Sequence, residues 1–217
     1  MKKFLVLVFI LSFIIPLQAR VPFNWGCVNW GWLGDQISQA IKPNFRQATW
    51  GMSKVQVKAI EKAKSYGEEK KSDGGLDILA YEGKAGSLEC FIAYYFVENQ
   101  LIQGRYHFLE KHANRILFIG DFRTVKKELT QKYGKPTEDE TYWKNDLYKD
   151  DSSDWGMAVA VGHLSFQAVW QTPQTKVLLM LTGDNYEITH RLQYSSKSKK
   201  HQDLKKEAAK KAKKDIW

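Results

Sequence analysis

Cysteine is nearly absent from this chain: 217 residues contain two, Cys27 and Cys90. Two thiols exclude a disulfide-dense scaffold and any zinc site built from paired Cys-x-x-Cys motifs. They allow one bridge, tying the N-terminal segment to a strand, but Cys90 fits equally well as a small buried hydrophobe. Nothing beside either residue would lower its pKa, so neither reads as a catalytic thiol. Histidine is also scarce, with five residues, and no His-Glu-x-x-His helix occurs. There is no Gly-x-Ser-x-Gly elbow and no Gly-rich phosphate loop after a strand. The sequence is therefore read as non-enzymatic, with no cofactor and no metal expected.

Charge of one sign is lacking from the body of the chain. The whole has 33 basic and 24 acidic residues, net +9, but residues 197–217 hold nine Lys against Asp203, Glu207 and Asp215. Residues 20–196 carry 22 basic and 21 acidic side chains. The basicity belongs to the C-terminal segment and not to a folded groove, so no nucleic-acid partner is expected. After residue 17 no apolar run reaches the ~20 residues that span a bilayer.

What the N-terminus does hold is a processing signal. Lys2-Lys3 precede the apolar run Phe4–Leu17, broken only by Ser12 and Pro16, and Ala19 offers a small residue for cleavage. An uncleaved anchor is the alternative. Residues 1–19 are read as a signal peptide and the mature protein as periplasmic or secreted. Residues 20–44 form a Trp/Gly-rich arm with Trp25, Trp30 and Trp32. Its rings either pack on the body or form an exposed platform.

One device recurs. Trp50-Gly51-Met52-Ser53-Lys54-Val55-Gln56-Val57 reads as a turn feeding a helix. Ser53 is the cap, Met52 and Val57 have staple spacing, Ile60 continues the stripe and Gly67 is the expected stop. In the second copy Asp121 takes the cap, Val125, Leu129 and Tyr133 make the stripe, and Gly134 with Pro136 ends it. Strands follow each copy. In the first they are Leu76–Tyr81, Leu88–Val97 and Leu101–Leu109, with Ile102, Tyr106 and Phe108 expected on one face and Gln103, Arg105 and His107 on the other. In the second they are Met157–Val161, Leu164–Gln171, Lys176–Thr182 and Glu187–Tyr194, as an antiparallel meander.

The polar residues that could carry function lie in connections. His163, in Gly162-His163-Leu164, is presented by a turn between strands. Asp184 and Asn185 occupy another turn. Asp146, Asp150, Asp151 and Asp154 cluster, but without the ligand ladder of an EF-hand they read as a solvated loop. His190 reads as a hydrogen-bonded core residue, His107 as solvated, and His112 and His201 lie in a connection and the basic segment. Trp50, Trp143, Asp146, His163, Asp184 and Asn185 are the candidate binding residues. A hydrolase using His163 with Asp146 or Asp184 is the alternative. In residues 197–217, Leu204, Ala208, Ala212 and Ile216 recur every four residues, so this basic tail is helical or disordered and able to touch an anionic surface.

Trp50-Gly51-Met52-Ser53, Tyr133-Gly134-Lys135-Pro136, Trp143-Lys144-Asn145-Asp146-Leu147-Tyr148, Gly162-His163-Leu164 and Thr182-Gly183-Asp184-Asn185-Tyr186 resemble a family of exported bacterial proteins. That resemblance implies export and no particular reaction. The repeated helix-plus-sheet plan also resembles outer-membrane assembly lipoproteins of the BamE/SmpA type and the β-lactamase inhibitor protein. The chain departs from the lipoproteins in lacking a lipobox and in carrying two units, and likeness of fold transfers no function. The fold expected is α+β with two tandem helix-plus-antiparallel-sheet units, residues 45–117 and 118–196, before the basic tail 197–217. The function expected is binding, through the sheet surfaces, of another envelope protein or cell-envelope component.

Overall fold

The structure, a computed structural model, describes residues 43–70 and 75–214. Residues 1–19, read above as a signal peptide, nearly all of the Trp/Gly-rich arm and Cys27 lie outside the described residues. The protein is α+β, with one eight-stranded antiparallel sheet. Helix α1 (Lys54–Ile60) is followed by β1 (Lys64–Glu69), β2 (Asp77–Ala85), β3 (Leu88–Val97) and β4 (Gln100–Phe108). Helix α2 (Ile116–Tyr133), β5 (Glu138–Trp143), a 3₁₀ turn (Ser152–Asp154) and α3 (Trp155–Ala160) come next. Strands β6 (Leu164–Gln171), β7 (Thr175–Asp184) and β8 (Glu187–Ser196) and helix α4 (Lys199–Lys214) complete it. The strand order is β1-β2-β3-β4-β8-β7-β6-β5.

One face of the sheet is the core. Tyr94 and Phe96 of β3, Phe166 and Trp170 of β6, and Leu179 and Leu181 of β7 pack there against Ile119, Phe122, Val125 and Leu129 of α2 and Val57 of α1. The opposite face carries a smaller cluster, Ala93, Tyr95, Val97 and Ile102, under Leu204 and Ala208 of α4. Residues 199–214 are thus a helix packed on β3 and β4, not a free tail. No helix among the described residues is long and apolar enough to cross a membrane.

Two hairpins close in the same way. Glu98-Asn99 and Asn185-Tyr186 all have positive φ, the backbone that matches a two-residue loop to the twist of its strands.

Several sequence expectations need correcting. Helix α1 stops at Ile60, not at Gly67, because Glu61 takes an extended conformation and its carboxylate accepts bonds from Arg46 and from the Ala63 N–H. Gly67 lies in β1, which pairs with β2 through a bulge. Helix α2 begins five residues before Asp121, with Asn114 Oδ1 accepting from Ile116 N–H at 3.2 Å. Asp121 is no cap; it binds His112 at 2.6 Å. Met157–Val161 is largely helix α3, since a short apolar run has no period of its own. A bulge at Tyr95/Phe96 turns Ile102 to the α4 side, away from Tyr106 and Phe108.

Candidate functional site

Most of the candidate residues gather at one end of the sheet. Trp143, at the end of β5, packs its ring edge-on to Trp155 with centroids 5.7 Å apart. His163 faces Tyr148 at 5.7 Å, and its backbone oxygen accepts from Lys144 N–H. Gly162 lies so close to Gly183 and Asp184 that a Cβ there would strike the Gly183 oxygen. Asn185 belongs to the adjoining turn, which Tyr186 N–H ties to Ala160. Trp50 is elsewhere: its indole N–H donates to Thr175 Oγ1 at 3.0 Å, at the far end of β7 from Asp184. Ten residues of strand put those ends about 30 Å apart.

His163 Nδ1 is buried without a hydrogen-bond partner, and among the described residues no bond joins this ring to a carboxylate. Asp146 is exposed and pairs with Lys149 at 3.1 Å. Asp151 accepts from Ser153 in a local turn. Among the described residues no three His, Cys, Asp or Glu side chains converge on a metal position. Cys90 is a buried thiol that donates weakly to the Gly83 oxygen, and burial pushes its pKa up to about 11.

A second constellation lies on the α4 side of the sheet, where β4 meets β8. Gln103, Arg105 and His107 face Ser195, Gln193 and Arg191 in antiparallel register. Arg105 donates through Nη2 to Gln193 Oε1 at 2.8 Å and lies over the Tyr95 ring, its Cζ 4.9 Å from the centroid. The Nε atoms of Arg105 and Arg191 are both buried without a partner. Among the described residues Arg191 bonds only Met180 sulfur, at 3.8 Å, a weak acceptor. Burial, and then Arg105, lowers the pKa of Arg191. His107 is half-buried and not solvated; burial, Arg105 and Arg191 pull it down to about 4, so it is neutral at pH 7. Lys205 of α4 donates to Gln103 Oε1 at 2.6 Å, and burial followed by Arg105 lowers its pKa.

Beside this group, a cleft of about 290 Å³ between α4 and the sheet is lined by Gln103, Lys176, Ser195, Lys197, His201 and Lys205. His201 is buried there, with Nδ1 2.8 Å from Ser196 Oγ. That hydroxyl also accepts from Ser198 N–H, which fastens the start of α4. No carboxylate is bonded to this Ser–His pair among the described residues, and its bonds join the start of α4 to the end of β8.

The polar alternation of Gln103, Arg105 and His107 is visible in the sequence, but the strand it faces is not. The cationic group exists because β4 and β8, about ninety residues apart, are neighbours in the sheet. The signal available was the matching alternation Arg191, Gln193, Ser195.

A third polar cluster is structural. Glu61 accepts two bonds from Arg46, at 2.8 and 3.1 Å, one from Ala63 N–H and one from the Tyr94 hydroxyl. Burial would raise its pKa, but the bonds from Tyr94, Ala63 and Arg46 win and hold it below the ordinary carboxylate value. Every strong donor there is matched, so the cluster ties Arg46, the end of α1 and β3 together.

Compared with known proteins, the chain matches no family model, no curated protein and no solved structure.

Proposed function

We propose that this is an exported, non-enzymatic binding protein whose partner, an anionic envelope protein or cell-envelope component, docks on the sheet face beside α4. The observation that carries this reading is the cationic group of Arg105, Arg191 and Lys205, for which no ion pair exists among the described residues. Half-buried Leu178 and Met180 flank it on β7, and Phe91 stacks with exposed Tyr66 toward the β1 edge. Apolar ground bordered by positive charge is what an acidic partner would use. Helix α4 adds Lys206, Lys210, Lys211, Lys213 and Lys214 on its solvent side. These lysines support contact with an anionic surface through the same part of the molecule.

The tandem-unit reading belongs here too. It is supported by a strand order that runs inward from both edges, each half a four-stranded meander preceded by a helix. Export is supported by the leader pattern of residues 1–19 alone.

The test is capture from envelope extract with the full mature chain. One partner should be recovered by the wild type and lost with Leu178→Glu or Met180→Glu, while Lys126→Glu, on α2, keeps it. Equal capture by all four proteins overturns the reading. N-terminal sequencing of the exported product checks for cleavage after Ala19.

A further inference from the structure

We propose that Arg105 and Arg191 form a binding site for a single oxyanionic group, a carboxylate or a phosphate, on the β4–β8 face of the sheet. The inference rests on the docking reading above and gives that surface its chemistry. Arg105 stands opposite Gln193, and Arg191 stands opposite His107, so the two guanidinium groups are diagonal neighbours on one face. Diagonal neighbours across an antiparallel pair are roughly 7–8 Å apart at their Cα atoms, within reach of long side chains. Burial, and then the neighbouring Arg105 charge, lower the pKa of Arg191.

By register, the carboxylates sharing this face are Glu69 on β1, Glu82 on β2, Glu89 on β3, Asp184 on β7, Glu187 on β8, and Glu138 and Glu140 on β5, and among the described residues none is ion-paired with Arg105 or Arg191; Glu187 is four residues along the strand from Arg191, about 13 Å. Glu82 is already paired with Lys64 at 2.9 Å. From β8 to β5 is three strand spacings, roughly 14 Å, too far for a direct bond to Arg191.

What the site lacks in partners it offers in geometry. A guanidinium donates five N–H groups in a planar fork that fits two oxygens of a carboxylate or phosphate. Arg105 has one such group committed to Gln193 and a face committed to Tyr95, which fix its orientation. Its Nε–H and that of Arg191 have no acceptor although both are desolvated. Leaving two buried Nε–H donors unbonded and two like charges without a counter-ion costs free energy that an anion would recover. Lys205 Nζ, fixed 2.6 Å from Gln103 Oε1, adds a third cation on the α4 side. His107, neutral at pH 7, adds no charge but lies 3.5 Å from both Arg105 Nη1 and Tyr95 Oη.

The test uses the full mature chain titrated with sodium phosphate and, separately, sodium acetate, each at constant ionic strength set with NaCl. The readout is the pair of arginine Nε–H signals in the proton–nitrogen NMR spectrum, together with the thermal midpoint. Both signals should shift saturably with at least one anion. Arg191→Gln should weaken binding at least tenfold and abolish the shift at Arg105, while Lys127→Gln, exposed on α2, binds like the wild type. Phosphate alone saturating indicates a phosphate group on the partner; acetate alone indicates a carboxylate. Arg191→Met should keep its fold and midpoint without anion, having lost a like-charged neighbour, and should gain nothing when anion is added. Shifts that grow linearly with both salts, or saturable shifts untouched by Arg191→Gln, overturn the site. If capture of the partner survives Arg105→Gln and Arg191→Gln but not Met180→Glu, the docking face stands and the oxyanion site falls. If capture ignores all three variants, the docking reading falls while the titration still judges the site.

Discussion

The two halves of the sheet are covered by different means. The β5–β8 half lies under α2, an 18-residue helix with four buried side chains, and under α3. The β1–β4 half has only α1, seven residues long with Val57 its single buried side chain. The shortfall is met by Phe45, which is 1% exposed and touches the rings of Tyr94, Tyr106 and Tyr194 at 5.0–5.3 Å. Its ring lies directly over Gly104, where any Cβ would collide with it. On the other face the roles reverse: α4 covers β3 and β4 and meets the β5–β8 half at the end of β8, through His201 and Ser196. One half is therefore held by a few irreplaceable contacts, and the other by a distributed helical stripe.

The sharpest way to break this comparison is to remove the irreplaceable contact. Phe45→Ala should cost about 3–5 kcal/mol, read by urea denaturation. Val125→Ala, in the α2 stripe, should cost about 2 kcal/mol. If the two cost the same, the halves are not held differently. Gly104→Ala should cost about 1–3 kcal/mol by overpacking, and Phe45→Leu should rescue part of that loss.

Next comes Glu61→Gln. Its side chain is 3% exposed and that of Arg46 28%, so the pair is buried on one side. Losing the carboxylate leaves Arg46 without its bidentate acceptor, and about 2–3 kcal/mol should be lost at pH 7. The folded pKa of Glu61 lies below the ordinary carboxylate value of 4.5, so its contribution is full above that pH and disappears as acid protonates the folded carboxylate. The variant should show a shallower fall in stability below pH 4.5. An unchanged acid slope would mean that the cluster is not the joint described.

How much of this was legible depended on burial on both sides of an element. Strand β3 could be read from Leu88 to Val97 because apolar residues sit on both faces, one toward the core and one toward α4. Strand β5, Glu138–Trp143, could not, because an edge strand with Glu138, Asp139 and Glu140 in water has no apolar alternation. The end of α1 departs from expectation for a related reason: Tyr66-Gly67 resembles a helix stop, and the contact that ends the helix, Glu61 with Arg46, is tertiary. Of the candidate residues, Trp143, His163, Asp184 and Asn185 were singled out as turn or aromatic residues, and the chain does bring them to one end of the sheet. The pairing of Arg105 with Arg191 could not be read, because it needs the β4–β8 register.

A smaller effect separates the halves by pH. His190 sits on the core face with its ring 4.2 Å from Phe108, and neither ring nitrogen has a hydrogen-bond partner, contrary to the satisfied core histidine expected. Burial lowers its pKa from 6.5 to about 4. Between those values the unfolded chain takes up a proton that the folded chain refuses. Stability should therefore fall by about 1.4 kcal/mol per pH unit for this group as pH drops from 6.5 to 4. His107 acts with the same sign over the same window. His190→Leu should leave stability at pH 7 equal to the wild type or about 1 kcal/mol higher, and should remove one histidine's share of the slope. Denaturation at pH 7 and pH 5 checks both; an unaltered difference between the two pH values would show that the ring is protonated in the folded state.

The smallest effect lies at the helix starts. Ser53 Oγ accepts from Gln56 N–H at 3.3 Å, and Gln56 Oε1 accepts from Ser53 N–H at 2.9 Å, a reciprocal cap that satisfies two donors of α1. Helix α2 has no side-chain cap at Arg115 and is fixed by its four buried residues. A short helix with one buried side chain depends on local terms that a long amphipathic helix can do without. Ser53→Ala should cost about 1 kcal/mol overall. Its mark should be local: amide exchange at Val57 and Glu61, whose N–H groups bond Ser53 and Val57 oxygens, should quicken before that of any α2 amide. If those two amides stay as protected as in the wild type, α1 is held by packing after all, and the two halves of the sheet are covered by the same means.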